Sequence, residues 1–410
     1  MISSIDATKR CARCLYDEQV PGISFDESGV CSYCKIHDQL DQEYPVGDAG
    51  RRRLEALAGS IRRTGRGKPY DVVVGVSGGC DSSYLLYTAK ELGLRPLAVH
   101  FDNTWDSEVA VRNIRRVLKA LDVDLFTYVV DNEEYDDIYR SFLRAGVPDL
   151  DAPTDIAMAA VLNVAAEKYG VRYILEGHSF RTEGISPLGW LYMDARYIAN
   201  VHERFGQRPL RTFPNLWLRD QVRWMVVRGI QKVRPLYWVD YHKQQAMDLL
   251  QAKLGWEWYG GHHLENRITA FYHTYFLNRR FGIDTRLLGY SALIRSGQLS
   301  REDGLRAIET PRQHDPALVA MVKKRLGLTD DEFEHLMTMP RHTHREFATY
   351  EATFRRLRWF FWLMYRLDRI PKSFYIKFAA PAAPRQIGSA ISPTAPKPVR
   401  ITEKDAVTKA

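Results

Sequence analysis

The segment from Asp71 to Leu92 most constrains how this chain can fold. An apolar, β-branched run, Asp71–Val76, leads to the glycine pair Gly78-Gly79, and a helix-like stretch, Ser82–Leu92, follows at once. This order predicts a strand, a tight loop and the N-terminus of a helix. Glycine accepts positive φ and lets the backbone approach a ligand closely, and the unpaired N–H groups of a helix start attract anions. With the hydroxyl groups of Ser77 and Ser82 as further donors, the loop is predicted to hold a phosphate or pyrophosphate.

The loop Ser77-Gly-Gly-Cys-Asp-Ser82 is not a Walker A motif, because the chain contains no G-x-x-x-x-G-K-[ST] string. It resembles the PP-loop of ATP pyrophosphatases. The resemblance implies that Ser77, Gly78, Gly79, Asp81 and Ser82 bind ATP, that a substrate attacks the α-phosphate, and that pyrophosphate leaves. Ser77, Asp81 and Ser82 are then candidate catalytic residues, and Asp81 is the best local candidate to contact Mg²⁺. The alternative is a glycine-rich turn that binds nothing.

Four of the five cysteines form two C-x2-C pairs, Cys11/Cys14 and Cys31/Cys34, with sixteen residues between the pairs. This spacing is typical of zinc ribbons and knuckles, and two disulfides are the alternative. Four thiolates leave no coordination position for water, so the predicted zinc is structural and performs no chemistry.

The fifth cysteine, Cys80, lies inside the loop, and no cysteine follows it. Sulfur transfer needs a cysteine that carries persulfide or attacks the activated base. Glutamine hydrolysis by a thiol needs a nucleophilic cysteine with a histidine partner. We therefore expect that the chain cannot make its own ammonia from glutamine.

The middle of the chain alternates between predicted strands and helices. Strands are predicted at 71–76, 95–101, 123–130 and 171–175, and helices at 82–92, 107–121, 132–145 and 154–169. This alternation predicts an α/β fold, a doubly wound parallel sheet whose ligands bind at the carboxyl ends of the strands.

Polar residues follow these strand ends. Asp102-Asn103 follows the second strand, Gly177-His178 lies just after the fourth, and Thr154-Asp155 opens a helix. A strand-end Asp or Asn can bond a ribose or an adenine edge, so Asp102, Asn103, Gly177 and His178 are candidate ATP ligands. Ordinary turn and cap chemistry is the alternative for each residue taken alone. Their shared position at one sheet edge favours a site.

The length of 410 residues predicts two or three structural units. We expect a zinc module at 1–45, a helical linker at 46–69, the ATP-binding domain at 70–200, a mainly helical substrate- or partner-binding region at 201–378 and a disordered tail at 379–410. The net charge of +8 suits nucleic acid, an anionic membrane or a phosphorylated substrate without choosing among them. The chain shows neither a signal-peptide pattern nor an apolar run of about 18 residues, so a cytoplasmic protein is expected.

Three blocks together resemble the bacterial N-acetyl sugar amidotransferase family. They are the four cysteines followed by the loop; residues 176–187 with Trp190 and 196–198 behind them; and residues 258–267 leading into Phe271-Tyr272 and 279–284. The resemblance covers about residues 8–340, most of the chain.

This resemblance implies a reaction and its partners. ATP would adenylylate the acetamido group of a nucleotide-linked N-acetyl sugar, and ammonia would displace AMP to give an acetamidino sugar for O-antigen and lipopolysaccharide biosynthesis. Mg²⁺ would screen the triphosphate. Ammonia would come from a separate glutaminase subunit, and a cyclase-like third subunit is a candidate partner. The missing thiol nucleophile favours a separate glutaminase independently.

The third block predicts a helix over 263–280 with a polar cluster at its start. Glu265 and His263 are candidate catalytic residues because either could take a proton from ammonium or the attacking amine. An arginine there could clamp a carboxylate or a diphosphate. The candidate substrate residues are Thr154, Asp155, Glu183, His262 and Arg267. A helix cap with surface charges is the alternative.

Two further segments are basic and rich in aromatic residues. Residues 200–234 are favoured as a docking surface or substrate wall. Residues 351–377 are too short to span a bilayer; packing on the catalytic domain is favoured over lying on a membrane surface. Such segments can also bind single-stranded nucleic acid. The main rival function is a PP-loop tRNA-modifying enzyme, a thiolase or a lysidine-synthetase-like protein, because many such enzymes pair the loop with zinc cysteines and the pI of about 9.1 would suit tRNA. The missing sulfur-carrying cysteine and the third block argue against this rival, and a nucleic-acid partner is not expected.

Overall fold

The computed structural model describes residues 9–187, 189–261, 263–367, 370 and 375. The predicted tail at 379–410 lies outside the described residues. The strands are β1 (Val72–Gly75), β2 (Pro96–Asp102), β3 (Leu125–Val129), β4 (Tyr173–Leu175) and β5 (Gln231–Val233). The α-helices are α1 (Ser32–Glu43), α2 (Gly47–Thr64), α3 (Cys80–Glu91), α4 (Glu108–Leu121), α5 (Asn132–Ala145), α6 (Ala152–Lys168), α7 (Ala195–Phe205), α8 (Leu218–Val222), α9 (Lys243–Leu254), α10 (Arg267–Phe271), α11 (Arg286–Arg295), α12 (Arg301–Glu309), α13 (Pro316–Leu326), α14 (Asp330–Thr338), α15 (Glu351–Arg356) and α16 (Arg358–Arg366). Wider π-helical turns follow α8 and α10, at Arg223–Val227 and Tyr272–Phe281.

The five strands form one parallel sheet in the order β3-β2-β1-β4-β5. The predicted α/β class is confirmed, and each of the four predicted strands is present. β5 was not predicted. Because it lies at 231–233, the domain boundary predicted at residue 200 cuts through the sheet.

Helices cover both faces of the sheet, as a doubly wound fold requires. Alternate residues of a strand point to opposite faces, so Val73 packs in one hydrophobic core and Val72 and Val74 pack in the other. The Val73 core contains α5, α6 and α7, and the opposite core contains residues of α3, α4 and α9.

The N-terminal module packs against distant parts of the chain. Tyr16 and the four cysteines share a small core with Ile185, Leu287 and Leu288. The backbone N–H of Leu15 donates to Ser291 Oγ at 3.2 Å, which joins the module to α11. The module is therefore anchored on the helical C-terminal part.

The helix predicted from residue 263 begins instead at Arg267. Asn266 is its N-cap, and the Asn266 side chain accepts a hydrogen bond from the Thr269 N–H. This cap competes with helical conformation before it, and His263 has a φ of 58°. His263 and Glu265 therefore lie in a loop. Among the described helices, none is both long enough and apolar enough to cross a bilayer.

Candidate active site

The loop after β1 is held from behind by the main body of the fold. Gly78 has a φ of +77°, and a Cβ there would lie 2.4 Å from the carbonyl oxygen of Ala110. The Gly78 carbonyl accepts hydrogen bonds from Trp256 Nε1 at 2.9 Å and from Asn113 Nδ2 at 3.2 Å. Glycine is required here because the backbone is both left-handed and in contact with α4.

The front of the loop presents hydroxyl groups beside a helix start. Ser77 Oγ and Ser82 Oγ are 3.2 Å apart, and the Gly79 N–H donates to Ser77 Oγ at 3.3 Å. Gly79 is the N-cap of α3 and has no side chain with which to cap the helix. The positive end of the helix dipole and the two hydroxyls therefore face the same space, an arrangement that suits a phosphate.

That space is a cavity of about 1630 Å³. In the sheet, β1 lies between β2 and β4. The chain runs from β1 to β2 on one side and later crosses from β3 to β4 on the other, which creates a crevice at the strand ends. Ser77, Gly79, Asp81 and Ser82 line the cavity. Its walls also include α1, the end of β5 and the loop before α10.

Asp81 is paired with Lys243, a residue that no sequence motif marks. The Asp81 carboxylate accepts hydrogen bonds from Lys243 Nζ and from the hydroxyl of Tyr241. Burial has the largest single effect and raises the pKa of Asp81, but the charge of Lys243 and the hydrogen bonds from Lys243 and Tyr241 together outweigh burial, so the pKa is lowered. Both carboxylate oxygens are thus engaged and a cation already stands beside them. These side chains do not fit a protein-held Mg²⁺ at Asp81, and we assign no step to one.

Glu265 reaches the phosphate loop from the segment before α10. A Cβ on Gly79 would lie 2.9 Å from Glu265 Oε1, which shows how closely the carboxyl group approaches. Its Oε2 is buried and accepts no hydrogen bond from the described residues. Burial raises the pKa of Glu265 to about 7. A carboxyl group with such a pKa can both take and release a proton near neutral pH.

Glu183 and His178 lie on the β4 side of the cavity. Burial and the nearby charge of Asp81 raise the pKa of Glu183 to about 8. Burial and the charge of Arg234 lower the pKa of His178 to about 3, so its ring is neutral at physiological pH. His178 Nδ1 lies 3.1 Å from the hydroxyl of Tyr237, and Nε2 lies 4.0 Å from Glu183.

The end of β5 brings two cations to the same edge. Lys232 and Arg234 line the cavity, and both pair with Glu176, at 3.7 Å and 3.0 Å respectively. The sequence predicted a basic segment here but did not predict β5, the strand that places this segment at the edge of the cavity. The only local signal was the pair of β-branched residues Ile230 and Val233 around Gln231-Lys232, which does not alternate with period two.

Of the predicted ATP ligands that follow β2 and β4, Gly177 and Asn103 line the cavity and Asp102 does not. Gly177 lines the cavity and passes so close to α3 that a Cβ would lie 3.3 Å from the Asp81 carbonyl. Asn103 also lines it, but its Oδ1 accepts from the Trp105 N–H at 3.0 Å. Asp102 borders a separate cavity of about 310 Å³ and accepts from the Thr104 N–H at 2.7 Å. Asn103 and Asp102 therefore make turn and cap contacts.

Some of the residues predicted to bind substrate, and His263 with them, line the cavity, and one does not. Asp155 and Thr154 line the cavity, and the Thr154 hydroxyl donates to Asp151 at 2.7 Å. His263 also lines it, and its ring stacks on His273 with centroids 5.2 Å apart. Arg267 is exposed and does not line the cavity, so the structure does not bring it to the site. His262 lies outside the described residues.

The four N-terminal cysteines fit a zinc ion. Their sulfurs are separated by 3.8 Å (Cys11–Cys34), 3.7 Å (Cys14–Cys31) and 3.6 Å (Cys31–Cys34). Zn–S bonds of about 2.3 Å place the sulfurs of a tetrahedral site about 3.8 Å apart. Arg295 donates to Cys14 Sγ at 3.1 Å and to Cys34 Sγ at 3.4 Å, which would offset the negative charge of four thiolates around Zn²⁺.

The helix that follows Cys31 forms part of the cavity wall. Tyr33, Leu40 and Glu43 of α1 line the cavity opposite the strand ends. Asp41 of the same helix pairs with Arg181 at 2.6 Å, which ties the helix to the loop after β4. A structural zinc would therefore support the site although it performs no chemistry there, a connection that the cysteine spacing alone did not reveal.

Cys80 does not present a reactive thiol. Its side chain is buried, and its sulfur lies 3.6 Å from the Tyr241 hydroxyl. Burial raises the pKa of the Cys80 thiol to about 11. A thiol rather than a thiolate is therefore present at neutral pH, which suits packing and not nucleophilic attack.

Comparisons with known proteins point in two directions. Residues 265–360 match the family model described as "LPS biosynthesis protein WbpG-like, C-terminal domain". The chain is also similar to a tRNA-specific 2-thiouridylase MnmA of Proteus mirabilis (strain HI4320), with 30% identity over 129 residues. A probable mitochondrial tRNA-specific 2-thiouridylase 1 of Caenorhabditis elegans is 28% identical over 123 residues. These matches cover 28% and 26% of this chain, and 35% and 32% of the relatives. The chain thus spans about a third of the length of these relatives.

Two solved structures share a general similarity with this fold. They are an NMN synthetase from Francisella tularensis, at 12% identity and a TM-score of 0.30, and an NH3-dependent NAD synthetase from Campylobacter jejuni, at 14% and 0.29. Each alignment covers 72% of this chain and 98% of the other. At these scores the similarity adds nothing to the functional assignment.

Proposed function

We propose that this protein is an ATP-dependent, AMP-forming amidotransferase that converts the acetamido group of a nucleotide-linked N-acetyl sugar into an acetamidino group. The observation that carries the proposal is the approach of Glu265 to the phosphate loop at Gly79. Glu265 is the first residue of the segment that matches the lipopolysaccharide-biosynthesis model. Thr269 and Tyr272 of that segment line the same cavity as Ser77 and Ser82.

The proposed chemistry has two steps. The acetamido oxygen attacks the α-phosphorus of ATP, an O–P bond forms, and the bond to pyrophosphate breaks. Ammonia then attacks the imidate carbon, AMP leaves, and the product is a protonated amidine. The protein's part is to position the reactants and to stabilise the charge of the phosphates.

Particular side chains suit these steps. Ser77, Ser82 and the start of α3 would bind the phosphates, and Lys243 supplies a fixed positive charge beside the loop. Glu265 would accept the proton that ammonium must lose to become a nucleophile, because its pKa lies near neutrality. Glu183 is the second candidate for this proton.

The nitrogen source follows from the cysteines. Four of them form the proposed zinc site and Cys80 is buried with a raised pKa, so none suits glutamine hydrolysis. The protein alone would use free ammonia, and a separate glutaminase subunit would supply ammonia from glutamine. A cyclase-like subunit remains a candidate third partner.

The test is a product analysis with the purified chain. It is incubated with ATP, ¹⁵N-ammonium and a panel of nucleotide-linked acetamido sugars. We expect a ¹⁵N-labelled amidine, with as many molecules of AMP released as amidine formed. Release of ADP, or AMP formation that no acetamido sugar stimulates, would contradict the proposal. Labelled product from amide-labelled glutamine without a second protein would contradict the two-component model.

Variants sharpen this test. Ser77→Ala and Glu265→Gln are expected to lower amidine formation by about 100-fold or more, as the loss of a charge-stabilising or proton-transferring group does. Glu257→Gln is the matched control, because Glu257 pairs with Arg112 and Arg116 on the surface and does not line the cavity. It should retain wild-type activity.

A second candidate function is tRNA modification, which the two 2-thiouridylase relatives favour. The buried Cys80 thiol argues against sulfur transfer by this chain. Two measurements separate the candidates. Purified protein that carries tRNA, seen as absorbance at 260 nm, would favour tRNA modification, and a Cys80→Ser variant that loses all activity would favour thiol chemistry. Under the amidotransferase proposal, Cys80→Ser stays active.

A further inference from the structure

Helix α16 and the residues just before it expose an aromatic and basic face. Phe361 and Met364 of α16 are buried, whereas Trp359 is 65% exposed and Trp362 is 46% exposed. Leu363 and Leu367 are 40% and 55% exposed. We use the name α16 face for the exposed residues of α16 together with those at the end of α15 and just after α16. They are Arg355, Arg356, Arg358, Trp359, Trp362, Leu363, Arg366 and Leu367.

The spacing of the α16 face makes it one continuous stripe. Positions 359, 362, 363 and 366 follow the i, i+3, i+4, i+7 pattern of one helix side. The opposite side is fixed in place by packing, since the rings of Phe361 and Phe354 meet edge to face with centroids 5.4 Å apart. The exposed indoles of Trp359 and Trp362 therefore lie on a helix whose other side is packed against the protein.

The charge of the α16 face has one sign. Residues 352–367 contain four arginines and no aspartate or glutamate. Of the two acids that flank this segment, Glu351 lies 3.9 Å from Arg355. Asp368 follows the segment and is itself followed by Arg369, so residues 351–369 keep five arginines against two acids. An apolar stripe with arginines at both ends is complementary to an anionic, partly apolar surface.

We propose that the α16 face binds the surface of an anionic lipid bilayer. Tryptophan prefers the membrane interface, and leucine side chains gain from contact with acyl chains. Nucleic acid would use the arginines and indoles but would gain nothing from Leu363 and Leu367. The helix has nine residues and is about 14 Å long, so it lies along the bilayer and does not cross it.

This contact would place the cavity next to the membrane. Tyr365 and Arg366 of α16 also line the cavity. A protein held by the α16 face would therefore work with one edge of its site at the lipid headgroups. This inference does not depend on which reaction the cavity performs.

The test is co-sedimentation of the full chain with vesicles. Vesicles of phosphatidylcholine alone are compared with vesicles that contain phosphatidylglycerol. We expect binding to the anionic vesicles only, with weaker binding at high salt because the attraction is screened. Trp359→Ser/Trp362→Ser should lower the partition coefficient about tenfold or more, and Arg355→Gln/Arg358→Gln should do the same.

Two control variants test whether the loss of any exposed apolar residues, or of any exposed arginines, weakens vesicle binding. Leu125→Ser/Val129→Ser alters two apolar residues of similar exposure on β3, and Arg51→Gln/Arg52→Gln alters two exposed arginines of α2. Both should bind vesicles like the wild type. Equal binding to neutral vesicles, no loss in the tryptophan variant, or binding of single-stranded RNA without binding of vesicles would each overturn the proposal. Thermal unfolding verifies that every variant is folded.

Discussion

Two adjacent glycines in the phosphate loop should respond to alanine in opposite ways. Gly78 has a φ of +77° and faces the backbone of α4, whereas Gly79 has a φ of −73° and faces only side chains. Gly78→Ala should therefore lower stability, and Gly79→Ala should mainly lower activity. Gly67→Ala is the matched control, because Gly67 has the same φ of +77° with nothing within 4 Å of its Cβ position.

The magnitude follows from two contributions. Left-handed backbone costs an L-residue about 1–2 kcal/mol, and the lower entropy of the unfolded chain returns about 0.4–1 kcal/mol. Gly67→Ala should thus lower the free energy of unfolding by about 0.5–1 kcal/mol. At Gly78 the new methyl would also lie 2.4 Å from the Ala110 carbonyl oxygen. Overpacking of this kind adds about 1–3 kcal/mol, so we expect a total of about 1.5–4 kcal/mol.

The assay is urea unfolding followed by circular dichroism, with midpoints compared at an unchanged slope. Gly79→Ala should unfold within about 1 kcal/mol of the wild type, because the Glu265 and Tyr259 side chains can move. It should lose most ATP cleavage, since its methyl enters the phosphate site. If Gly78→Ala is as mild as Gly67→Ala, the contact with α4 does not hold the loop, and the account of the site is wrong.

Three further results are expected. Because burial raises the pKa of Glu265 to about 7 from an ordinary 4.5, its contribution to stability is complete below about pH 4.5 and is lost as the pH rises through 7. The free energy of unfolding should fall by up to about 3 kcal/mol across this window, and a titration of Glu265→Gln should lack that component. Metal analysis should find about one zinc per chain, and Cys31→Ser should lose both the metal and the activity, since α1 forms a cavity wall. Lys243→Met should lower the free energy of unfolding by about 3–5 kcal/mol because it leaves the Asp81 carboxylate unpaired, and an equal stability would contradict that pairing.

The sheet and its loop were predictable because their signals are local. The β-branched run before Ser77 and the glycine pair require only neighbouring residues, and the four predicted strands are all found in the sheet. β5 has three residues, too few for a periodic pattern to stand out. Its place is fixed by pairing with β4, which no window of sequence contains.

The site was predictable only where a motif carried it. Glu265 and Glu183 were singled out from the blocks of the resemblance, and both line the cavity. Lys243 was missed because a lone lysine at the start of a helix resembles any surface lysine, and its partner Asp81 is 162 residues away. Arg267 was predicted to face the substrate, but the cap at Asn266 starts the helix there and leaves the arginine on the surface.

The contact between Arg295 and the cysteine cluster has a consequence for biosynthesis. Cys14 leaves the ribosome 281 residues before Arg295, the residue that donates to its sulfur. At a synthesis rate of about 5–20 residues per second, roughly 15–55 seconds pass between the synthesis of Cys14 and the synthesis of Arg295 in α11. During that interval the nascent chain presents its thiolates without their final cover, so early capture of zinc would decide whether they reach the finished fold unoxidised.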